Sequence, residues 1–230
     1  MTNSGQPPLL EVLEPEARRQ LMTHARLIRV RKGQALFSRG EASTDVLIIH
    51  DGRVRVLLYG ADGREVSLRE LAPGQLIGEL AALDGVVRSA SAVAVTDARL
   101  MAFSQRVFRE LIETSPAAAD WLLRRLVAQV RNLTDRVFEL SALNVQTRLH
   151  CELLRLARKH GGEIDPSPTH AELASRIATH REAVTRELSA LEERNVLRSG
   201  RRRLTFLNLE QLEKEVQAKL RTPIGDEAGW

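Results

Sequence analysis

Two kinds of hydrophobic spacing alternate along this chain. From Leu9 to Ala25 the apolar residues Leu9, Leu10, Val12, Leu13, Leu21 and Met22 fall at helical intervals, with Pro15 marking a break. Beyond Ala25 the pattern changes to short alternating or wholly apolar runs: RLIRV, ALF, VLIIH, VRVLLYG, EVSLREL, QLIG, SASAVAV and ARLMAF. Turn residues separate them, and Asp51-Gly52 and Asp62-Gly63 are hairpin signals. About eight short strands at this spacing predict a small antiparallel barrel or jelly roll.

Helical spacing returns from Ser104 to Thr114. Ser115-Pro116 then reads as an N-cap followed by proline at the first helical position, opening a long helix to Ser141. Along it Val130, Leu133, Val137, Leu140 and Asn144 step as a heptad seam, extended backward by Leu122 and Leu126. Such a stripe predicts a parallel coiled coil between two copies of the chain. The plain alternative is that the stripe packs on the barrel of its own chain, a purpose that Leu123, Val127 and Phe138, which lie off the seam, could serve instead.

From Val145 the order is helix (Val145–Arg158), loop (KHGGEIDPSP), two short helices (Thr169–Ile177 and Arg181–Arg194), a hairpin around Ser199-Gly200, and a last helix (Leu209–Leu220). That is the order of a winged helix-turn-helix. The predicted fold class is therefore α+β: an N-terminal β-roll (jelly roll) over 1–114, a dimerisation helix over 115–144, a winged helix-turn-helix over 145–222 and a tail over 223–230. Met1–Pro8 and Thr222–Trp230 are expected to be loosely ordered.

Charge sharpens this division. The stretch Val145–Arg221 holds 15 Lys and Arg against 11 Asp and Glu, which accounts for the whole net charge of +4. A polyanion partner is expected there, and a neutral module before it. A lone cysteine, Cys151, excludes an internal disulfide and reads as buried core. No apolar run is long enough to span a membrane, and the first residues lack the order of a signal peptide, so a soluble cytoplasmic protein is expected.

In the second short helix Val184, Leu188 and Leu191 form a buried stripe, which leaves Arg181, Glu182, Thr185 and Arg186 outward near its N-terminus. Arginine pairs bidentately with guanine and glutamate accepts from cytosine, so this face suits reading G·C pairs in a major groove. An ordinary salt-bridged surface helix is the plain alternative. Thr169 and Glu172 have capping-box spacing, and Ala174 is small where two helices cross. Arg201, Arg202 and Arg203 on the wing would contact phosphates.

One further stretch, GELAALDGVVRSA (Gly78–Ala90), sets a lone acid, Glu79, and a lone base, Arg88, among small residues. They would either pair with each other or grip the two polar ends of a small ligand. Small residues let a backbone approach a phosphate, and a guanidinium suits one.

The order of β-roll, long helix and winged helix-turn-helix resembles the cyclic-AMP receptor protein/FNR (Crp/Fnr) superfamily of bacterial transcription regulators. Two motifs carry the resemblance. GELAALDGVVRSA looks like the family's phosphate-binding cassette, and ATHREAVTRELSALEERNVL looks like its recognition helix. The resemblance implies a homodimeric, sequence-specific DNA-binding regulator gated by a cyclic nucleotide, cyclic AMP first. It implies that Glu79 takes the ribose 2′-hydroxyl and Arg88 the cyclic phosphate. Gly78, Ser89 and the amides near Leu80 and Ala90 would complete the anion site, and Thr134 would contact the base. It places Thr169, His180, Arg181, Glu182, Thr185, Arg186, Arg201 and Arg202 on DNA, and Leu126, Val130, Leu133, Val137 and Leu140 in the dimer seam. Double-stranded DNA, a second copy of the chain and RNA polymerase are the implied partners.

The chain departs from the family pattern in two places. Leu133 stands where a first hydroxyl residue is usual beside Thr134, which leaves cyclic GMP, a cyclic dinucleotide or no effector open. Ala178-Thr179-His180 replaces the usual Gly-x-Ser before the recognition helix. The iron–sulfur sensors of the family need several cysteines, and His24, His50, His150, His160, His170 and His180 show no ligand spacing, so no metal, haem or cluster is expected. No nucleophile–base–acid arrangement suggests an enzyme. A nucleotide-binding module of a kinase or channel is the reading from another class, and the winged segment argues against it.

Overall fold

The structure, a computed structural model, describes residues 7–60, 63 and 65–220. Residues 1–6 and 222–230 of the expected tails lie outside the described residues, as does Asp62 of the second hairpin signal. The chain divides into two compact units between Thr134 and Asp135, inside the long helix.

The first unit begins with α1 (Leu9–Val12) and α2 (Pro15–Thr23), which starts at the expected break. Eight strands follow: β1 (Arg26–Val30), β2 (Ala35–Phe37), β3 (Val46–Asp51), β4 (Val54–Tyr59), β5 (Glu65–Leu71), β6 (Leu76–Ile77), β7 (Ser91–Ala94) and β8 (Ala98–Phe103). A short helix, α3 (Glu79–Asp84), interrupts them between β6 and β7. The strands pair antiparallel in two sheets, ordered β1-β8-β3-β6 and β2-β7-β4-β5. These are the predicted runs and the predicted β-roll.

The first sheet is covered on both faces, which explains why VLIIH is apolar without alternation. In β3 and β8 Leu47, Ile49, Leu100 and Ala102 point into the roll with Val30, Phe37, Val54 and Val56. Val46, Ile48, Met101 and Phe103 point outward, onto a layer of helices that supplies Leu9, Leu21, Phe108 and Trp121. Those helices include α4 (Gln105–Thr114), capped by Ser104, and the first turns of α5 (Pro116–Ala142). The α5 N-terminus has the expected serine cap, with the Ala118 amide donating to Ser115 Oγ at 3.3 Å.

The long helix corrects the predicted seam. Leu122 is 4% exposed and, with the partly buried Leu126, packs on the barrel-side core. Leu123 and Val127, candidates for the barrel, are instead 64% and 52% exposed, and Phe138 is exposed too. Val130, Leu133, Val137 and Leu140 are exposed as well. The outward apolar stripe is therefore Leu123, Val127, Val130, Leu133, Val137 and Leu140. The barrel-facing stripe is Leu122, Arg125, Leu126 and Gln129, at i, i+3, i+4 and i+7. Two apolar rows run side by side, and two polar residues in the inner row hid which was which.

The second unit contains α6 (Val145–His160), β9 (Glu163–Ile164), α7 (His170–Arg176), α8 (Arg181–Glu193), β10 (Leu197–Gly200), β11 (Arg203–Phe206) and α9 (Leu209–Leu220). Its core gathers Leu149, Leu153, Ile164, Leu173, Ile177, Val184, Leu188, Leu191, Leu197, Leu204 and Leu212, with Cys151 buried among them. Arg148 ties the helix-turn-helix turn to the α5–α6 junction, donating to Ile177 O and Leu143 O at 3.0 Å each.

The hairpin differs from expectation. Gly200 pairs with Arg203 and Ser199 with Leu204, so the turn is Arg201-Arg202, not Ser199-Gly200. This register puts Leu197, Ser199, Leu204 and Phe206 on one face, where Leu197 and Leu204 are buried. The KHGGEIDPSP loop also holds a strand, since β9 pairs with β11 through Ile164 and Leu204.

Candidate functional site

Each unit carries one cluster of candidate residues. In the first, β6 runs into Gly78, which sits in the left-handed region at φ +94°. A Cβ there would lie 2.5 Å from Arg88 Nη1 and 2.7 Å from Asp45 O, so the close seat of the guanidinium requires glycine. The chain then turns through α3 and the loop Val86–Ser89, returning Arg88 beneath the helix start. Arg88 is 4% exposed. Its Nε donates to Ser43 Oγ at 3.0 Å, Nη1 to Gly78 O at 3.1 Å and Nη2 to Asp45 O at 2.7 Å. Its Cζ lies over the Phe37 ring, 4.1 Å from the ring centre. Burial pulls its pKa down, while the charges of Glu41, Asp45 and Glu79 oppose that.

Glu79 is 1% exposed and does not pair with Arg88. Its Oε1 accepts from Gln129 Nε2 at 2.8 Å and from Arg69 Nη2 at 3.3 Å, and lies 3.6 Å from Arg125 Nε. Burial alone would raise its pKa. Arg69, Arg125 and the Gln129 amide outweigh that and hold the carboxyl below the usual carboxylate range. All three contacts converge on Oε1 and leave Oε2 outside the set. Arg125 is itself buried, donates to Leu76 O at 2.5 Å and lies 5.5 Å from the Trp121 ring centre.

The cassette therefore holds an acid and a base in separate seats a short distance apart, each charged and each fixed by other elements. Gly78, Glu79, Arg88 and Ala90 are gathered in it. Leu80 is 40% exposed and its amide falls in the first turn of α3, where no intrahelical acceptor exists. Ser89 is exposed. Thr134 is exposed too, and its hydroxyl donates to Val130 O in its own helix at 3.1 Å, so it does not join the set. Arg69, Arg125 and Gln129 were missed by sequence reasoning. Polar residues recurring beside Leu122 and Leu126 on one helical face were the available signal for the last two.

In the second unit α7 begins with the predicted capping box: Thr169 Oγ1 accepts from the Glu172 amide at 3.2 Å, and Glu172 Oε2 from the Thr169 amide at 2.8 Å. The turn before α8 passes through Ala178 at φ +52°, the position where glycine is usual. His180 is the N-cap of α8 and its side chain makes no capping bond. Val184, Leu188 and Leu191 are buried as expected, and His180, Arg181, Glu182, Thr185 and Arg186 form an exposed face.

Beside that face stands the wing. Arg201 and Arg202 are exposed at its tip. Arg203 does not serve as a free cation, because it is bound to Asp165 at 2.7 Å and Glu163 at 3.2 Å. Arg198 is exposed on β10 and was not foreseen. Thr185 faces outward as expected, and His170 Nδ1 lies 2.8 Å from its Oγ1. That pairing joins residues on two helices, and no local spacing announces it.

No group of three or more His, Cys, Asp or Glu among the described residues is arranged to hold a metal ion, and no described helix is long and apolar enough to cross a membrane. Two family models match the chain, one in each unit. Residues 27–115 match the cyclic nucleotide-binding domain, and residues 147–215 the Crp-like helix-turn-helix domain. The cyclic AMP receptor protein of Thermus thermophilus is 33% identical over 84% of this chain and 89% of its own length. The CRP-like cAMP-activated global transcriptional regulator of Mycobacterium tuberculosis is 25% identical over 91% of this chain and 96% of its own. Among solved structures, a CooA variant from Carboxydothermus hydrogenoformans shares the fold with a TM-score of 0.80 at 21% identity, over 94% of this chain and all of that one. A buried acid and base beside a β-roll, a helix-turn-helix with a wing, and relatives that extend over both units agree: the chain belongs to the Crp/Fnr superfamily and is a DNA-binding transcription regulator of that type with a cyclic nucleotide-binding domain.

Proposed function

We propose that this regulator works as a homodimer gated by a cyclic nucleotide, cyclic AMP first, held between Glu79 and Arg88. The observation that carries the reading is the separation of these two charges. Arg88 is fixed through three donors with part of its fork unused, and Glu79 is fixed through Oε1 by Gln129 and Arg69. A cyclic phosphate suits the first and a ribose 2′-hydroxyl the second. The relatives named for cyclic AMP support that choice of ligand. Occupancy would act on α5 through Gln129 and Arg125, which both reach Glu79 from that helix.

The outward stripe of α5 supports the homodimer, since six large apolar residues in helical register are rarely left to water. Two recognition helices in such a dimer would enter successive major grooves about 34 Å apart and read a near-palindrome. Arg181, Glu182 and Arg186 would read bases, and Thr169, Arg201 and Arg202 would meet phosphates. The cytoplasm is the expected setting and RNA polymerase the expected protein partner.

One observation favours a second reading within the family. Three of the five Arg88 donors already go to Ser43, Gly78 and Asp45 of its own chain, so its seat is held without a ligand and could serve an effector-independent regulator. Footprinting on a duplex selected from a random pool, with and without cyclic AMP, decides between the two. Protection that requires the nucleotide supports gating, and equal protection in both supports the constitutive reading.

A further inference from the structure

A carboxylate oxygen offers about two lone-pair sites. Oε1 of Glu79 has three donors around it: Gln129 Nε2 at 2.8 Å, Arg69 Nη2 at 3.3 Å and Arg125 Nε at 3.6 Å. The first two fill both sites. The third lies beyond hydrogen-bond range. Arg125 Nε is thus a buried donor with no hydrogen-bond partner among the described residues. Such an orphan is a local cost that a small movement would relieve. Arg125 has no route to water, because its side chain is 3% exposed and its Nη2 is held by Leu76 O.

Arg69 differs in each respect. Its bond to Oε1 is longer than that of Gln129, and its side chain is 23% exposed. It stands opposite Val56, which lines the inside of the roll, so both share the inward face. The two guanidiniums also repel each other across the carboxylate. Burial pulls the Arg125 pKa down, the Arg69 charge adds to that, and Glu79 opposes both. Around Glu79 itself two cations face one anion, while Arg88 has Glu41 and Asp45 beside it as well. The cluster on Glu79 is therefore one negative charge short, and an anionic nucleotide supplies it.

We propose that Arg69 is a further ligand-contacting residue, which leaves Glu79 for the bound nucleotide and yields its place on Oε1 to Arg125. This rests on the nucleotide reading of the same cradle and adds the step by which occupancy reaches α5. The planar fork of a guanidinium suits the acceptors of a nucleotide, its phosphate oxygens and ring nitrogens. Departure of Arg69 frees one lone-pair site, and Arg125 Nε closes from 3.6 Å to a hydrogen bond. Arg125 stands on α5 with its guanidinium 5.5 Å from the Trp121 ring centre. The same movement therefore acts on α5 and changes the surroundings of an indole.

The test uses the full chain with Trp230→Phe, which leaves Trp121 as its one tryptophan. Cyclic AMP binding is followed by calorimetry and Trp121 emission by fluorescence. The variants are Arg69→Met, Arg125→Met and the two combined, each checked for folding by urea unfolding. If Arg125→Met does not fold, Arg125→Lys, which keeps the charge and lacks Nε, takes its place. Cyclic AMP should shift the emission of the parent. Arg69→Met should show that shifted emission with no nucleotide present, and cyclic AMP should then add little to it. Without nucleotide, Arg69→Met should also bind a duplex selected from a random pool several-fold more tightly than the parent does. Beside Arg125→Met the Arg69 substitution should leave the emission unmoved, because its effect passes through Arg125.

Three results would each overturn the proposal. One is Arg69→Met emission equal to that of the nucleotide-free parent, with the full response to cyclic AMP retained. Another is an Arg69→Met effect that persists undiminished beside Arg125→Met. The third is nucleotide-free DNA affinity that Arg69→Met leaves unchanged. Absence of cyclic AMP binding to the parent would defeat the nucleotide reading itself, and the Arg69→Met emission would still decide whether the two arginines compete for Glu79.

Discussion

Gln129 donates to Glu79 Oε1 at 2.8 Å, and one helical turn earlier Arg125 brings its guanidinium to the same oxygen at 3.6 Å. Strand and helix thus meet at a single buried carboxylate, with Arg69 as the third partner. Removing one member of a buried ion pair leaves the other charged and desolvated, so Arg125→Ala should cost about 3–5 kcal/mol in urea unfolding. The pH dependence has a definite sign. The Glu79 carboxyl is held below its ordinary range, so its stabilisation is fully present above the unfolded carboxylate pKa and is lost as pH falls through the lower folded value. Glu79→Gln should make stability less sensitive to acid across that window, and an unchanged acid limb would show that Glu79 is not held in this way.

The two rows of α5 should respond differently to substitution. Val130→Glu or Val137→Glu on the outward row should leave each chain folded and shift its mass in sedimentation toward the monomer. Leu122→Ala on the inward row should instead lower stability by about 2–5 kcal/mol, because it opens a cavity in a filled core. A dimer that survives charge at both outward positions would remove the seam.

At Ala178 a non-glycine residue holds φ +52°. The left-handed conformation costs an alanine about 1 kcal/mol or more. Ala178→Gly should therefore raise stability by about 0.5–1 kcal/mol in chemical denaturation, with the gain limited by the greater freedom of glycine in the unfolded chain. A loss of stability would mean that the Ala178 methyl makes contacts worth more than the strain.

Arg181 and Arg202 should separate reading from holding. Arg181→Ala should cost about 1–3 kcal/mol on a selected site and relax one base position, as measured by binding to single-substitution duplexes. Arg202→Ala should weaken all duplexes alike and reduce the slope of log affinity against log salt by about 1. The opposite pattern would exchange the two roles.

Much of this architecture is written in local pattern. Every strand of the β-roll coincides with a run of period two or a short apolar block, because one or both of its faces are buried. The capping box at Thr169 and the stripe Val184-Leu188-Leu191 are equally local. What escaped is tertiary. Ser199-Gly200 has turn chemistry, but pairing with β11 and the burial of Leu197 and Leu204 move the turn to Arg201-Arg202. The start of the seam was misplaced because Leu122 and Leu123 are both apolar, and only the barrel decides which faces inward. Glu79 was legible as a candidate, yet its partners come from β5 and α5, as many as 50 residues away. Arg203 carries the same charge as its neighbours, and only its seat beside Asp165 and Glu163 removes it from the DNA set.

The central claim is that the Glu79–Arg88 cradle binds a cyclic nucleotide. Calorimetric titration of cyclic AMP into the nucleotide-free protein tests it most directly, with Arg88→Ala beside it. The account predicts saturable binding with micromolar affinity that the substitution abolishes. No heat of binding, or binding that persists undiminished in Arg88→Ala, would contradict it.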